Sequence, residues 1–121
     1  MKYSGWDFID NMVQTCDELE ICLQGIASAD DLRNSVVKRR AVVMCLLDLG
    51  ELFTGLSDKE KDLFQCDHWH RVIGFRNRSA HGYHAMDFDQ VYSIAVNRVP
   101  PLHQFLRQQQ QRLNQEEYIE K

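Results

Sequence analysis

The scarcity of helix breakers is the feature that most constrains how this chain can fold. Its 121 residues include two prolines, Pro100 and Pro101, and these stand side by side. Proline is tolerated in the first turn of a helix and not in its interior, so the pair predicts a helix break or restart there. The rest of the sequence contains no repeat. Its apolar residues recur at the spacing of a helix. The sequence therefore predicts an all-α bundle of four to five helices.

The first predicted helix runs from about residue 6 to residue 26. Its apolar residues recur at three- and four-residue steps, which places them on one face. Gly25 predicts the end of this helix, and Ser28 or Asp30 predicts the N-cap of the next one. The apolar face comprises Ile9, Met12, Val13, Cys16, Leu19, Leu23 and Ile26.

The apolar run AVVMCLL, residues 41–47, has the length of a buried strand. Apolar positions continue from it at helical spacing to Leu32 on one side and to Phe53 on the other. A single long helix over residues 31–54 explains more of the pattern. Because its middle is apolar all round, we expect it to be buried on every side, in the domain centre or in a subunit interface.

Two further helices are predicted in the second half of the chain. Ser57 followed by Glu60 is a capping-box pattern, which predicts the start of a short helix. A longer helix fits residues 67–80, and Gly82 is expected to end it.

The C-terminal part begins with another capping-box spacing, between Asp87 and Gln90. A final helix follows the proline pair. Its tail, residues 108–121, has little to bury and is expected to fray. The prediction is one domain spanning residues 1–121.

Composition restricts the class of protein. A hydrophobic share of 44% and a charged share of 26% are typical of a globular protein. No apolar run approaches the roughly 20 residues of a spanning helix, and the N-terminus lacks a signal pattern. We therefore expect a cytoplasmic protein. The net charge of −4 implies that any nucleic-acid binding depends on a local basic cluster.

The four cysteines, Cys16, Cys22, Cys45 and Cys66, are expected to stay reduced in the cytoplasm. Three of them lie within apolar helical patterns. A cysteine in such a position acts as a small hydrophobic side chain, so we interpret these residues as packing groups.

The stretch FRNRSAHGYH, residues 75–84, concentrates groups that bind phosphate and transfer protons. Arg76 and His81 are five residues apart, which separates them by about 140° on a helix. They meet at one phosphate only if the helix is broken before His81, if Arg76 reaches round, or if two subunits contribute. Gly82 makes the first arrangement plausible, and the apolar middle of the second helix makes the third plausible.

These residue types suit RNA cleavage without a metal or any other cofactor. An imidazole can take a proton from a ribose 2′-hydroxyl or give one to the leaving 5′-oxygen, and a guanidinium can hold the phosphate oxygens. The same arginine can also merely bind phosphate or complement the end of a helix dipole. Residue chemistry alone leaves catalysis open.

Other polar residues nearby support weaker hypotheses. Cys66, His68 and His70 lack the paired spacing of zinc sites, so no metal site is predicted. Arg78 lies three residues before His81, on the same face of a helix, and is a candidate to bind RNA. Five more basic residues could extend a phosphate-binding groove or simply face solvent: Lys38, Arg39, Arg40, Arg71 and Arg98. For Glu51 we favour an ion pair with a surface lysine over contact with the motif.

The segment RNRSAHGY, residues 76–83, resembles the motif of HepT-like toxins in the HEPN superfamily: an arginine, four residues, a histidine, one residue and a tyrosine. Its surroundings are also similar, including Trp69 with the IGFRN segment that follows closely, the RRA segment at residues 39–41 and the Gly50-Glu51 pair. The resemblance covers roughly residues 8–107. Residues 56–68 and His84 depart from the usual pattern.

The resemblance implies an all-α homodimer that acts as a metal-independent ribonuclease toxin. It implies Arg76 and His81 as the catalytic pair, with Asn77 in support. It also implies an antitoxin partner, a nucleotidyltransferase of the MNT type, which neutralises the toxin by transferring AMP to Tyr83. Added phosphate charge there would repel RNA.

An alternative is that the same fold is a non-catalytic partner of a nucleotidyltransferase and binds nucleotide or RNA in a basic cleft. Growth arrest that requires His81 would distinguish the enzyme from the binding module.

Overall fold

The computed structural model describes the backbone of residues 4–78 and 82–120, and the side chains of residues 8–78 and 82–115. Over these residues the architecture is an all-α bundle, which confirms the predicted fold class. A 3-10 turn covers Tyr83–Ala85, and a π turn, Ile94–Arg98, joins the last two helices. The helices are α1 Ser4–Cys22, α2 Ala29–Arg33, α3 Val36–Thr54, α4 Asp58–Phe64, α5 Trp69–Arg78, α6 Phe88–Ser93 and α7 Val99–Glu120.

Helix α3 lies at the centre of the bundle and packs against both α1 and α5, while α7 packs on the other side of α1. Most of the apolar stripe predicted for the first helix is the buried face of α1, whereas Leu23 and Ile26 lie beyond its end at Cys22 and are partly buried. Removing these side chains from water is the main favourable term in folding. Fully buried core residues include Met12, Cys16, Leu19, Val42, Leu46, Leu49, Trp69, Val72, Leu102 and Leu106.

The single helix predicted over residues 31–54 is wrong at its N-terminal end. The chain forms α2, leaves the helix at Asn34 and Ser35, and begins α3 at Val36. The Ser35 hydroxyl accepts a hydrogen bond from the Lys38 backbone N–H, so this serine is an N-cap within an otherwise helical pattern.

The middle of α3 is not buried on every side within one chain. Val42, Val43, Cys45, Leu46 and Leu49 are buried as expected, but the Met44 side chain is 58% exposed and that of Val37 is 78% exposed. The two exposed residues are seven positions apart and so share one face of α3.

The predicted helix starts are largely found. Ser57 and Glu60 form the complete capping box of α4, and Gly25, with φ of +81°, follows the end of α1. Asp87 caps α6 by accepting a hydrogen bond from the Asp89 N–H at 3.0 Å. The helix predicted over residues 67–80 is observed as α5, and residues 79–81 lie outside the described part.

The proline pair restarts the helix, as expected. The π turn closes with a hydrogen bond from the Val99 N–H to the Ile94 carbonyl, and α7 begins at Val99. Pro100 and Pro101 therefore occupy the first turn of α7, where a missing N–H is tolerated. Further along α7, Leu113 is buried and the Gln110 side-chain amide donates to Asp10 of α1.

Two of the cysteines confirm the packing interpretation. Cys16 and Cys45 are buried, and their burial raises the pKa of each thiol to about 12. Both therefore stay uncharged at neutral pH and act as apolar groups. Among the described residues, no helix is both long enough and apolar enough to cross a bilayer.

A buried histidine joins α7 to α1. The ring of His103 is 4% exposed, with Nε2 2.8 Å from Asp17 Oδ1 and Nδ1 3.0 Å from Glu20 Oε1. Arg107 also donates to Asp17 Oδ1 at 2.6 Å. Partial burial opposes ionisation of Asp17, but the hydrogen bonds from Arg107 and His103 outweigh it and lower the pKa of this carboxyl.

This contact predicts a pH-dependent contribution to stability. Because the folded-state pKa of Asp17 is lowered, its contribution is present above the unfolded value near 4 and is lost as pH falls below it. The Asp17 side chain is 46% exposed, so we expect the contribution to be under about 1 kcal/mol. Urea unfolding between pH 6 and pH 3 should show a shallower loss of stability for Asp17→Asn than for the wild type. Asp62→Asn, at an exposed site on α4, is the control, and identical slopes for Asp17→Asn and the wild type would contradict the prediction.

Candidate functional site

Arg76 lies in the last turn of α5, where this helix crosses α3 at Gly50. A Cβ atom placed on Gly50 would lie 2.7 Å from the Arg76 Cβ and 3.0 Å from its Cγ. These distances are well inside van der Waals contact, so glycine is required for the two helices to approach this closely. The close approach fixes the stem of Arg76 against α3.

The Arg76 guanidinium is held by two neighbours. Its Nε donates to Glu51 Oε1 at 2.7 Å, and its Nη1 donates to the Asn77 side-chain carbonyl oxygen at 3.0 Å. Our preference for a Glu51 pair with a surface lysine was therefore wrong. The remaining N–H groups of the guanidinium pair with no residue in the described part of the chain, so they can donate to an anion. The sequence signal for this contact was the Gly50-Glu51 pair, which lies 25 residues before Arg76.

Asn77 takes part in both the motif and a surface groove. Its side-chain oxygen accepts from Arg76, which leaves the amide NH2 to donate elsewhere. Asn77 also lines a groove of about 590 Å³ that runs along α5 past His70 and Gln65. The structure thus brings Arg76 and Asn77 together at the end of this groove.

His81 lies outside the described residues. The chain is described again from Gly82, whose φ of +97° falls in the left-handed region. Glycine is the residue that adopts this conformation without strain. Gly82 therefore supplies a conformation that other residues rarely adopt, directly before the 3-10 turn that begins at Tyr83.

Tyr83 is enclosed by two arginines from the first turns of α3. The Nε of Arg39 donates to the Tyr83 hydroxyl oxygen at 2.8 Å, and the Arg40 guanidinium carbon lies 4.2 Å from the ring centroid. Arg39 is itself anchored, because its Nη1 donates to the Arg33 carbonyl at 2.6 Å. The edge of the Tyr83 ring also meets Phe88, with centroids 5.7 Å apart. The tyrosine is half-buried and its hydroxyl lies beside cationic groups.

Arg78, the predicted RNA-binding residue, is not beside Arg76. Two residues on a helix are separated by about 200°, so the side chains leave opposite faces of α5. Arg78 lies back over Gly74 and lines a small cavity with Arg71 and Arg98.

The surface on the Glu51 side of Arg76 is acidic. A groove of about 430 Å³ between α1 and α3 is lined by Phe8, Asn11, Asp48 and Glu51, among others. Burial, followed by the charges of Glu18 and Glu51, raises the pKa of the Asp48 carboxyl. This side is unsuited to phosphate, so a polyanion is better accommodated on the Asn77 side.

A comparison with protein families shows which family the chain resembles over most of its length. The family model of the HepT-like ribonucleases matches residues 12–109, which spans most of α1, all of α2 to α6 and half of α7. The chain belongs to the HepT-like ribonuclease family. No solved structure matches it significantly. Arg76, Asn77, His81 and Tyr83 all fall within the matched range, and family membership indicates ribonuclease activity.

The close contact at Gly50 predicts a large cost for the smallest substitution in this HepT-like chain. Gly50→Ala forces α3 and α5 apart or displaces Arg76, and we expect a loss of about 1–3 kcal/mol in the free energy of unfolding. Gly74→Ala is the matched control, because its Cβ would approach only the guanidinium end of the long Arg78 side chain, with Nη1 at 3.1 Å. Alanine there improves helix propensity by about 1 kcal/mol. Urea unfolding of both variants measures the difference, and equal stabilities would contradict the packing argument.

Proposed function

We propose that this protein is the metal-independent endoribonuclease toxin of a toxin–antitoxin system. The observation that carries the proposal is the Arg76 guanidinium, which Glu51 and Asn77 hold and which has further N–H groups that pair with no described residue. An oriented arginine of this kind suits the stabilisation of charge that develops on a phosphate during transfer. Family membership supports the RNA substrate.

The proposed reaction is an intramolecular transfer within RNA. The ribose 2′-oxygen attacks the adjacent phosphorus and loses its proton to a base, while the bond to the 5′-oxygen breaks and that oxygen takes up a proton. The products are a 2′,3′-cyclic phosphate and a 5′-hydroxyl. His81 serves the proton transfers, Arg76 neutralises the phosphate oxygens, and the Asn77 amide supports Arg76.

We further propose that two copies of the chain form the active unit. Val37, Met44 and Glu51 follow one another at seven-residue steps, so the exposed apolar face of α3 continues directly to the residue that holds Arg76. Exposed apolar residues in one stripe favour contact with a second protein surface. Pairing of two α3 faces would bring both Arg76 side chains to the same cleft, which accommodates the five-residue spacing of Arg76 and His81.

Tyr83 is proposed as the residue that receives AMP from a nucleotidyltransferase antitoxin of the MNT type. Its hydroxyl lies beside Arg39, and Arg40 covers the ring. Both guanidinium groups would compensate the charge of a phosphodiester formed on that oxygen. The added nucleotide would also occupy space next to the motif and block entry of RNA.

Expression of the chain alone in bacterial cells tests the toxin proposal. We expect growth arrest with the wild type and normal growth with His81→Ala, since the proton transfers require the imidazole. His84→Ala removes the neighbouring exposed histidine and should still arrest growth. Growth that is indifferent to His81→Ala would contradict the proposal, and it would favour a non-catalytic subunit that only binds nucleotide or RNA.

A further inference from the structure

A small cavity on the opposite face of α5 from Arg76 gathers three arginines. It measures about 100 Å³ and lies between α5 and the segment formed by α6 and the π turn. A serine hydroxyl and a side-chain amide add further hydrogen-bond donors to its wall. The lining residues are Arg71, Arg78, Gln90, Ser93, Ile94 and Arg98.

Helix geometry explains why these side chains converge. Arg71 and Arg78 are seven residues apart on α5 and therefore share a face. Gly74 lies between them, and the Arg78 guanidinium occupies the space over it, with Nη1 3.1 Å from where a Cβ would be. On the facing segment, Gln90 and Arg98 share a face at four-residue steps through Ile94, which is buried.

The charge of this cluster is uncompensated within the described part of the chain. None of the three guanidinium groups forms an ion pair with a described residue, whereas Arg33, Arg76 and Arg107 each do. This occurs in a chain whose net charge is −4, so carboxylates are plentiful elsewhere. Three like charges around one cavity repel each other unless an anion joins them. The cluster is therefore suited to an anion with several acceptor oxygens.

We propose that Arg71, Arg78 and Arg98, assisted by Ser93 and Gln90, bind a backbone phosphate of the RNA substrate beyond the cleaved nucleotide. The nature of this anion rests on the proposed ribonuclease function. Arginine binds phosphate oxygens through paired N–H groups, and the hydroxyl and amide can donate to the same oxygens or to a ribose.

This site implies a path for the RNA strand. Arg76 faces α3 and Arg78 faces α6 from the same last turn of α5. Asn77 lies between them in sequence and lines the groove along α5. An RNA strand with one phosphate bound at Arg76 and another at the three-arginine cavity would cross the C-terminal end of α5. This path leads away from the acidic groove beside Glu51.

The test measures binding of a fluorescent 2′-O-methyl RNA, which cannot be cleaved by 2′-oxygen attack, at salt concentrations from 50 to 300 mM. For Arg71→Ala/Arg98→Ala we expect Kd at least about tenfold higher than for the wild type. The slope of log affinity against log salt should fall by about 0.7 for each lost phosphate contact. Arg112→Ala, which removes an exposed arginine on α7, should leave both quantities unchanged. Thermal melting shows whether each variant is folded.

Cleavage of the unmodified RNA by the wild type is measured in parallel. This measurement distinguishes failure of the phosphate site from failure of the ribonuclease function. If the wild type cleaves RNA and the double variant binds with unchanged Kd and salt slope, the phosphate site is overturned and the ribonuclease function stands. If the wild type does not cleave RNA but the double variant binds more weakly and with a smaller slope of log affinity against log salt, the phosphate site is supported and the ribonuclease function is not. If the wild type does not bind this RNA, the site is overturned.

Discussion

Replacing Arg76 by alanine is expected to lower kcat/KM for RNA cleavage by about 1,000-fold. The guanidinium is oriented by Glu51 and Asn77, and removal of one oriented donor at a charged transition state costs about 10²- to 10³-fold, with larger effects for arginine at phosphate. Cleavage of a defined RNA by the purified variant, followed on a denaturing gel over a range of protein concentrations, measures the loss.

Three further variants separate the charge of Arg76 from its orientation. Arg76→Lys keeps a positive charge but not the paired donors, and it should recover only part of the activity. Glu51→Gln keeps Arg76 and weakens the contact that positions it, so kcat should fall by about tenfold with KM unchanged. Asp48→Asn changes a nearby carboxyl group that does not contact Arg76 and should cleave normally. Retention of near wild-type activity by Arg76→Ala would contradict the assigned role.

Replacing Tyr83 by phenylalanine is expected to abolish AMP transfer to the protein. The change removes only the hydroxyl oxygen, while the ring keeps its contacts with Arg40 and Phe88, so the fold and RNA cleavage should be preserved. Incubation with ATP and a nucleotidyltransferase of the MNT type, followed by intact mass measurement, detects the added nucleotide. Tyr92→Phe alters the half-buried tyrosine of α6 and should still be modified. Modification of Tyr83→Phe to the wild-type extent would place the acceptor elsewhere.

Much of this fold follows from local sequence rules. The capping box at Ser57 and Glu60, the cap at Asp87 and the helix restart at the proline pair depend on residues within a few positions of each other. Ser35 was missed because apolar spacing continues through it, and only the competition between its side chain and the backbone ends the helical run. The exposure of Met44 could not be deduced either, because periodicity does not show which faces of a fully apolar helix find partners.

The residues of the proposed site were named from local spacing, but the contacts that hold them could not be deduced in this way. The spacing of Arg76, Asn77, His81 and Tyr83 resembles the motif of HepT-like toxins, but the residues that hold Arg76 and Tyr83 come from far along the chain. Glu51 meets Arg76 across 25 positions, and Arg39 meets Tyr83 across 44. Such pairs depend on how helices cross, which in this chain is governed by the missing side chain at Gly50. Helical periodicity shows which side of each helix faces the core, but it does not show how that helix is aligned along its neighbour.

The most direct test of metal-independent cleavage through the 2′-hydroxyl compares a single-stranded RNA with the same strand carrying 2′-deoxyribose at the cleaved position, both in excess EDTA. We expect the wild-type protein to cut the RNA to 2′,3′-cyclic phosphate and 5′-hydroxyl ends and to leave the deoxy position intact, while His81→Ala cuts neither. Cleavage at the deoxy position, or loss of all cleavage on adding EDTA, would contradict a metal-independent reaction through the 2′-hydroxyl.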